Sequence, residues 1–431
     1  HTEETAREEV ERITKELKKL SHDADFPLEI KPVERAASDE EAVKIRDREN
    51  IDVMLLYAAG AGYLDACISG KRYNIIFVRH RSGPVYDWYE NAHNRFLRVG
   101  GNNFEYDKFR NYGGTDYNDI VVDDYDDILY RLRALYGVKN FLGKRIVALG
   151  GGQGKGCPQA PNVAKEKFNI NIIDVKYEDL EKRIKSARMN RKLVKKCEEW
   201  TERYLSLPHT RLNTKKEFIK NCFILYTIYK EYMHENDAEA FTINRCMRTI
   251  IPVSETTACL TLSLLNDEGY LAFCESDFAV IPSGILLHYV SGKPVFLNNP
   301  TFPHKGMVTC AHCTAPRRMD GKNYDPAEIV THYESDYGAA PKVEMPLGKE
   351  ITLINPDCSQ NRWLGFKGTV DKNPFYSICR SQQDILIQGD WKKLIREIKG
   401  SHWMIVYDDY LREMEYAVHK IGLEWLNISE T

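Results

Sequence analysis

The chain has 431 residues, with 60 Lys and Arg against 63 Asp and Glu, a formal net charge of −3 and 43% hydrophobic residues. That length exceeds what one compact core usually supports, so two or three domains are expected, and the balanced charge excludes a protein that tracks nucleic acid with a concentrated basic face. No stretch approaches the roughly 18–20 continuous apolar residues of a membrane helix; the longest apolar runs, Ile51–Gly62 and Ile281–Val290, read as buried strand or helix.

Glu3–Leu20 reads as a charged amphipathic helix and not as a signal peptide, and Glu40–Glu49 as a second helix. Ile51–Tyr57 and Asn74–Val78 have the unbroken apolar texture of buried parallel strands. A sheet of this kind usually begins with a strand, and the chain begins without Met, so residues upstream are expected. Between these strands and the next unit, the loop Val85–His93 carries Trp88 among aromatic and polar residues that could stack on a ligand; core or interface packing is the plain alternative for its aromatics.

A second alternating unit begins at Lys144–Leu149, followed by the glycine run 150–156. That run lacks the Ser/Thr after Lys of a P-loop and misses the GxGxxG spacing, so it reads as a flexible strand-to-helix turn. Ile170–Val175 and Ala240–Asn244 follow as strands. Tyr177–Ser206 reads as one long polar helix, and Thr214–His234 and Thr256–Asp267 as further helices, the last stopped by Gly269. Tyr270–Cys274 is a short strand that delivers Glu275 and Asp277 at its end. After Gly292, Pro, Gly and Asn become frequent and short β runs appear at Val295–Asn298, Val308–Ala311, Glu350–Ile354 and Asp384–Gln388, which implies an antiparallel sheet or barrel. Asp408–Ile421 reads as the helix that closes the chain. The fold class expected is α/β: two doubly wound parallel-sheet domains, 1–143 and 144–292, then a mainly antiparallel, barrel-like β domain, 293–431.

The eleven cysteines are odd in number and follow no framework, which fits reduced thiols in a cytoplasmic protein. Cys310-Ala-His312-Cys313 is a CxxC without a second pair, a weak zinc signal, and its cysteines read as small apolar residues beside a functional histidine.

Four places carry candidate chemistry. Glu275 and Asp277 lie at a strand end, where α/β sheets present ligands; a helix-capping role is the plain alternative for Glu275. Asn299 and His304 sit between rigid prolines, and His304 alone would read as a loop histidine bonded to backbone. His312 ends a strand and is followed by Arg317 and Arg318, whose forks suit an acidic group but also suit an ordinary solvated pair. His402 stands directly before the last strand. One carboxylate with two or three histidines, each at a strand end, forms an N/O set for a divalent metal.

The runs LSLLNDEGYLAFCESD, SGKPVFLNNP, MVTCAHCTAPRRMDG and GSHWMIVYDDYLREMEYAVHKIGLEW resemble the metal-site half of the L-fucose isomerase and L-arabinose isomerase superfamily. The likeness covers mainly residues 255–431. It implies a metal-dependent aldose–ketose isomerase acting on an open-chain sugar through an enediol, with Mn²⁺ as the metal. Glu275 then matches the acid that is both ligand and proton shuttle, His402 the C-terminal ligand, and His312 the further histidine of the arabinose isomerases. Asn299 stands where that family has a second acid; it offers a carbonyl oxygen to a metal but takes no proton, which leaves Asp277 or His304 to substitute. His304, Arg317 and Trp88 are the expected sugar contacts. The resemblance also implies a homo-oligomer, trimer or hexamer, in which the first domain completes a neighbour's site. The rival readings are a sugar-binding paralogue without catalysis, and a metal-assisted epimerase or lyase on a related, acidic sugar.

Overall fold

The computed structural model describes residues 2–57, 64–79 and 115–430. Trp88 and the rest of the Val85–His93 loop lie outside the described residues. The chain divides into two compact units, one running to Val138 and including Arg412–Gly422, the other comprising Lys139–Leu411 and the residues from Leu423 onward.

In the first unit, helices α1 (Glu3–Asp23) and α2 (Asp39–Arg46) precede β1 (Val53–Tyr57), α3 (Leu64–Cys67), β2 (Tyr73–Val78) and β3 (Ile120–Val122). Thr2 and Ser38 supply side-chain N-caps to α1 and α2, and acidic residues fill each first turn, as the orphan N–H groups of a helix start favour. The strands pair in parallel in the order β1-β2-β3. Strand β2 is buried at every position, so it shows no polar alternation in sequence. Helix α4 (Tyr125–Phe141) leads into the second unit.

The second unit continues with β4 (Arg145–Leu149), α5 (Ala160–Phe168), β5 (Asn171–Val175), α6 (Tyr177–Met189), α7 (Arg191–Leu205), β6 (Thr210–Leu212), α8 (Lys216–Glu235), β7 (Ala240–Ile243), α9 (Cys246–Ser254), α10 (Cys259–Asp267) and β8 (Leu271–Phe273). Strands β5-β4-β7-β8 form one parallel sheet in that order. The chain runs outward from β4 to β5 and then crosses to β7 on the other side. This places a switch point between β4 and β7, where such sheets gather ligands at their C-terminal strand ends. The single helix expected over 177–206 is two helices: Asn190 interrupts it, and its side chain accepts from Leu193 N at 3.2 Å to cap α7.

Helix α11 (Ile281–Ser291) then leads into β9 (Phe296–Pro300), β10 (Met307–His312), β11 (Ala327–His332), β12 (Tyr337–Val343), β13 (Glu350–Pro356), β14 (Arg362–Lys372), β15 (Ser381–Gln388), α12 (Trp391–Glu397) and β16 (Trp403–Tyr407). Six of these strands pair antiparallel in the order β13-β16-β9-β10-β15-β14, and a β13–β14 pairing closes the ring into a barrel. Strands β11 and β12 stand apart in a small sheet with β6. Helix α13 (Leu411–Lys420) does not close the chain as expected: β17 (Glu424–Asn427) follows and pairs in parallel with β14. The α/β class with a barrel-like antiparallel C-terminal region is therefore the observed architecture.

One continuous buried cluster runs from Val147 and Leu149 of β4 through Phe241 and Ala272 to Phe296, Phe366 and Trp403 of the barrel. The parallel sheet and the barrel thus share a core, and α11 packs on β8, β13 and β16 to join them. Among the described residues no helix is long and apolar enough to cross a membrane. The reading of all eleven cysteines as reduced thiols needs correction at two of them: Cys157 and Cys358, 201 residues apart, form a disulfide, and the other nine are free.

Glycine at position 365 of β14 is set by packing. A Cβ there would fall 2.2 Å from the Trp425 ring of β17, so the parallel β14–β17 pairing needs the bare backbone. Gly365→Ala is expected to lower stability by about 1–3 kcal/mol through overpacking. Urea denaturation measures this, and an unchanged midpoint would mean that Trp425 moves aside freely.

Candidate metal centre

Glu275, His312 and His402 come from three different places in the chain and converge, each offering a ligand atom within 4.8 Å of the others. Glu275 follows β8 at the C-terminal edge of the parallel sheet, His312 ends β10, and His402 immediately precedes β16. His312 Nε2 lies 3.8 Å from Glu275 Oε1, and His402 Nε2 lies 3.7 Å from Oε2. These separations are too long for direct hydrogen bonds. They suit donors that meet around an ion, with bonds of roughly 2.0–2.2 Å.

The other nitrogen of each imidazole is fixed. His402 Nδ1 donates to Asp277 Oδ2 at 2.6 Å, and His312 Nδ1 lies 3.0 Å from Thr314 Oγ1. His402 Nε2 is buried and has no hydrogen-bond partner. An orphaned buried nitrogen is costly unless something occupies the space before it. A carboxylate on the far ring nitrogen is the arrangement that orients histidines towards metals. The residues present therefore fit a divalent ion: one hard carboxylate and two imidazoles, with Nε2 as the free atom on His402. The His402 side chain is fully buried and that of His312 nearly so, while Glu275 keeps 32% exposure. The carboxylate side is the open one.

The loop bearing Glu275 is held in an unusual backbone. Glu275 and Ser276 have φ of 65° and 47°, the left-handed region that costs non-glycine residues roughly 1–2 kcal/mol each. The glycine run after β4 compensates. Gln153 Nε2 donates to the Glu275 carbonyl at 2.6 Å, Gln153 N to Ser276 O, and Phe278 N to Gln153 O. Lys155 N donates to Asp277 Oδ1 at 2.9 Å, and Lys155 Nζ reaches Glu275 Oε2 at 2.7 Å. Instead of a flexible turn, the run is a pinned clasp, and Gln153, Lys155 and Thr314 are site residues that sequence reasoning missed. A lysine inside a glycine run at a strand end was the available signal.

Burial works to raise the pKa of the Glu275 carboxyl, but His312, His402 and Lys155 outweigh it and hold the group well below the usual carboxylate range. The Lys155 ammonium, disfavoured by burial, is held above its ordinary value by Glu275 and Asp277. A small cleft of about 120 Å³ adjoins the centre, lined in part by Lys155, Asp277, Pro356, Ser401 and His402. A larger, open hollow of about 490 Å³ around Lys215 and Tyr337 contains none of the three converging side chains.

The remaining candidates lie elsewhere or act differently. Asp277 is buried, with Oδ2 on His402 Nδ1 and Oδ1 accepting from Lys155 N and Ala279 N; it orients the His402 ring. Asn299 pairs with Ala311, so strand alternation sets it on the face opposite to His312. The amide on the His312 face is Asn298, buried, with its Oδ1 unpartnered. His304 is exposed in the β9–β10 turn, its Nδ1 on Phe302 O at 3.2 Å, outside the trio. Arg317 is corrected from sugar contact to structural anchor: it is fully buried, and its guanidinium donates to Asp325 O, Thr210 Oγ1 and Pro208 O. The N–H groups of Arg317 and Arg318 both reach Asp267 Oδ1.

No family model and no curated protein matches this chain.

Burial pushes the Asp267 carboxyl up to about 7, against the opposing pull of the Arg318 and Arg317 N–H groups, from an ordinary value of 3.8. Between those values the folded chain keeps a proton that the unfolded chain releases. Stability is then greatest below the window and falls as pH rises through about 7. Asp267→Asn is expected to flatten this dependence in thermal melts between pH 4 and 8; an unaltered slope would assign it to other groups. For the centre itself, Asp277→Asn is expected to weaken Mn²⁺ binding roughly 10–100-fold without unfolding the chain. Calorimetric titration measures it, and wild-type affinity in the variant would remove Asp277 from the metal's support.

Proposed function

We propose that the chain is a metal-dependent aldose–ketose isomerase acting on an open-chain sugar, of the L-fucose/L-arabinose isomerase kind. The observation that carries this reading is the convergence of Glu275, His312 and His402 at one point, with His402 Nε2 buried, unpartnered and aimed by Asp277. The sequence resemblance points to the same three residues as ligands and also to Asn299, which the β9–β10 register sets on the opposite face from His312.

When bound, a divalent ion such as Mn²⁺ would hold neighbouring sugar oxygens and offset the negative charge of an enediolate. Glu275, on the open side of the centre, takes the proton from one carbon and returns it to the next. Asp277 keeps the His402 ring in the tautomer that presents Nε2. His312 and His402, buried on the barrel side, exclude water from that half of the site. At about 120 Å³ the adjoining cleft is smaller than the roughly 300–1,000 Å³ of a complete ligand pocket. That supports a pocket finished by other residues, in keeping with the trimer or hexamer that the resemblance implies. A cytoplasmic address belongs to the same proposal, with the Cys157–Cys358 bridge the observation that pulls against it.

A second reading is favoured by one observation: Glu275 is the only carboxylate among the described residues in the trio, since Asp277 is spent on His402. A single acid suits C2 epimerisation, or sugar binding without turnover, as well as isomerisation. Incubation of the Mn²⁺-loaded protein with a panel of aldoses and ketoses in D₂O separates them. Ketose formation with C2 exchange supports the isomerase, exchange without ketose supports the epimerase, and no exchange with any sugar refutes both. Glu275→Gln is expected to reduce turnover at least about 10²-fold while the fold persists by circular dichroism. Retained activity would place the proton shuttle on another residue.

A further inference from the structure

The Lys155 side chain places Nζ 2.7 Å from Glu275 Oε2. The same oxygen faces His402 Nε2 at 3.7 Å, and Oε1 faces His312 Nε2 at 3.8 Å, so the ammonium and an ion held by the trio draw on one carboxylate. Two cations crowded on that carboxylate in a half-buried setting repel strongly, and occupancy by one disfavours the other.

The lysine is built for exchange because its two ends are held differently. Its backbone N–H is fixed on Asp277 Oδ1, Gln153 fastens the loop to Ser276 and Phe278, and the Cys157–Cys358 bridge ties it to the residues after β13. Gly154 packs so tightly that a Cβ would lie 2.0 Å from the Cys157 carbonyl oxygen. The side chain, by contrast, is 44% exposed and borders the cleft lined by Ser401 and His402. A pinned loop therefore carries a half-exposed four-carbon arm whose tip is held by one ion pair.

We propose that Lys155 is an exchangeable resident cation of the metal centre: its ammonium neutralises Glu275 while no ion is bound and is displaced into the adjoining cleft when a divalent ion loads. This rests on the metal centre proposed above. In the metal-free chain the lysine keeps the carboxylate aimed at His312 and His402. On loading, the ion has to break that pair, so Lys155 raises the metal concentration at which the site fills.

The test is Mn²⁺ titration of the metal-free full chain, by calorimetry and by the electron paramagnetic resonance signal of free Mn²⁺, for wild type, Lys155→Met and Lys155→Arg. Methionine keeps the length of the arm and removes its charge. Lys155→Met is expected to bind Mn²⁺ roughly two- to fivefold tighter than wild type, the size of a part-exposed ion pair, and Lys155→Arg to return to the wild-type value. Equal or weaker binding by a folded Lys155→Met overturns the exchange and leaves the metal centre standing. No Mn²⁺ bound by either protein removes the metal centre, and this inference with it. A second measurement needs no variant: acylation of Lys155 in the wild type, read by mass spectrometry, is expected to rise when Mn²⁺ is added. An unchanged rate counts against displacement.

Discussion

The buried carboxylate of Asp277 is the joint on which the candidate centre hangs. One oxygen takes the His402 Nδ1 proton at 2.6 Å, and the other takes the backbone N–H groups of Lys155 at 2.9 Å and Ala279 at 3.2 Å. Those donors come from the entry to barrel strand β16, the loop after β4 and the start of the turn into α11. A carboxylate buried to 2% is tolerable only when its lone pairs are filled, and here three donors fill them. The satisfaction of one charge thus ties the Glu275 loop to the entry of β16 and to the loop after β4. It also fixes a tautomer. With Nδ1 committed to Asp277, the lone pair of His402 is on Nε2, and that atom faces Glu275.

The loop between β8 and α11 shows what this joint has to hold against. Two successive residues, Glu275 and Ser276, sit at positive φ, an arrangement that survives only when its surroundings over-determine it. Gln153 supplies most of that determination by bonding to the loop at Glu275 O, Ser276 O and Phe278 N. The result is a carboxylate whose backbone is set before any ligand arrives, which is what positioning chemistry requires. The disulfide between Cys157 and Cys358 extends the same logic, since it fastens the supporting loop to a segment of the barrel 201 residues away.

How much of this was legible in the sequence follows from which physical signals are local. Strands such as β2 and β4, buried along nearly their whole length, announce themselves as apolar runs. The helix α1 announces itself through its charged, amphipathic pattern. Glu275, His312 and His402 were visible because each stands beside a strand, Glu275 and His312 at its close and His402 just before its start, where sheets and barrels present side chains. Lys155 and Gln153 were not, because a glycine run reads as slack until its partners across the sheet are known. The division of 177–206 into α6 and α7 turned on a single Asn190 cap inside a continuous polar pattern. Strand β14 was hidden by Gly365 and Gly368, whose missing side chains make room for Trp425 and Ile385. Arg317 looked like a ligand-binding residue because adjacency to His312 says nothing about direction, and its fork turns away to two carbonyls and the Thr210 hydroxyl of its own chain. Asn299 was one residue out of step: the β9–β10 register gives the His312 face to Asn298. No spacing rule foretells a bridge between Cys157 and Cys358.

The division of donors between the two layers of the second unit carries the last consequence. The parallel sheet contributes the carboxylates, Glu275 and Asp277, and the barrel contributes the imidazoles, His312 and His402. Neither layer has a ligand set alone, and the two share one continuous core bridged by α11. An unfolded or undocked chain would offer these donors separately, so an ion that prefers the converged trio favours the docked state and ties metal binding to folding free energy. The site is in this sense a product of the interface between sheet and barrel. Its geometry is inherited from apolar packing, and its charge balance is set at two polar bonds, Asp277 to His402 across that packing and Lys155 to Glu275 between two loops of the parallel sheet.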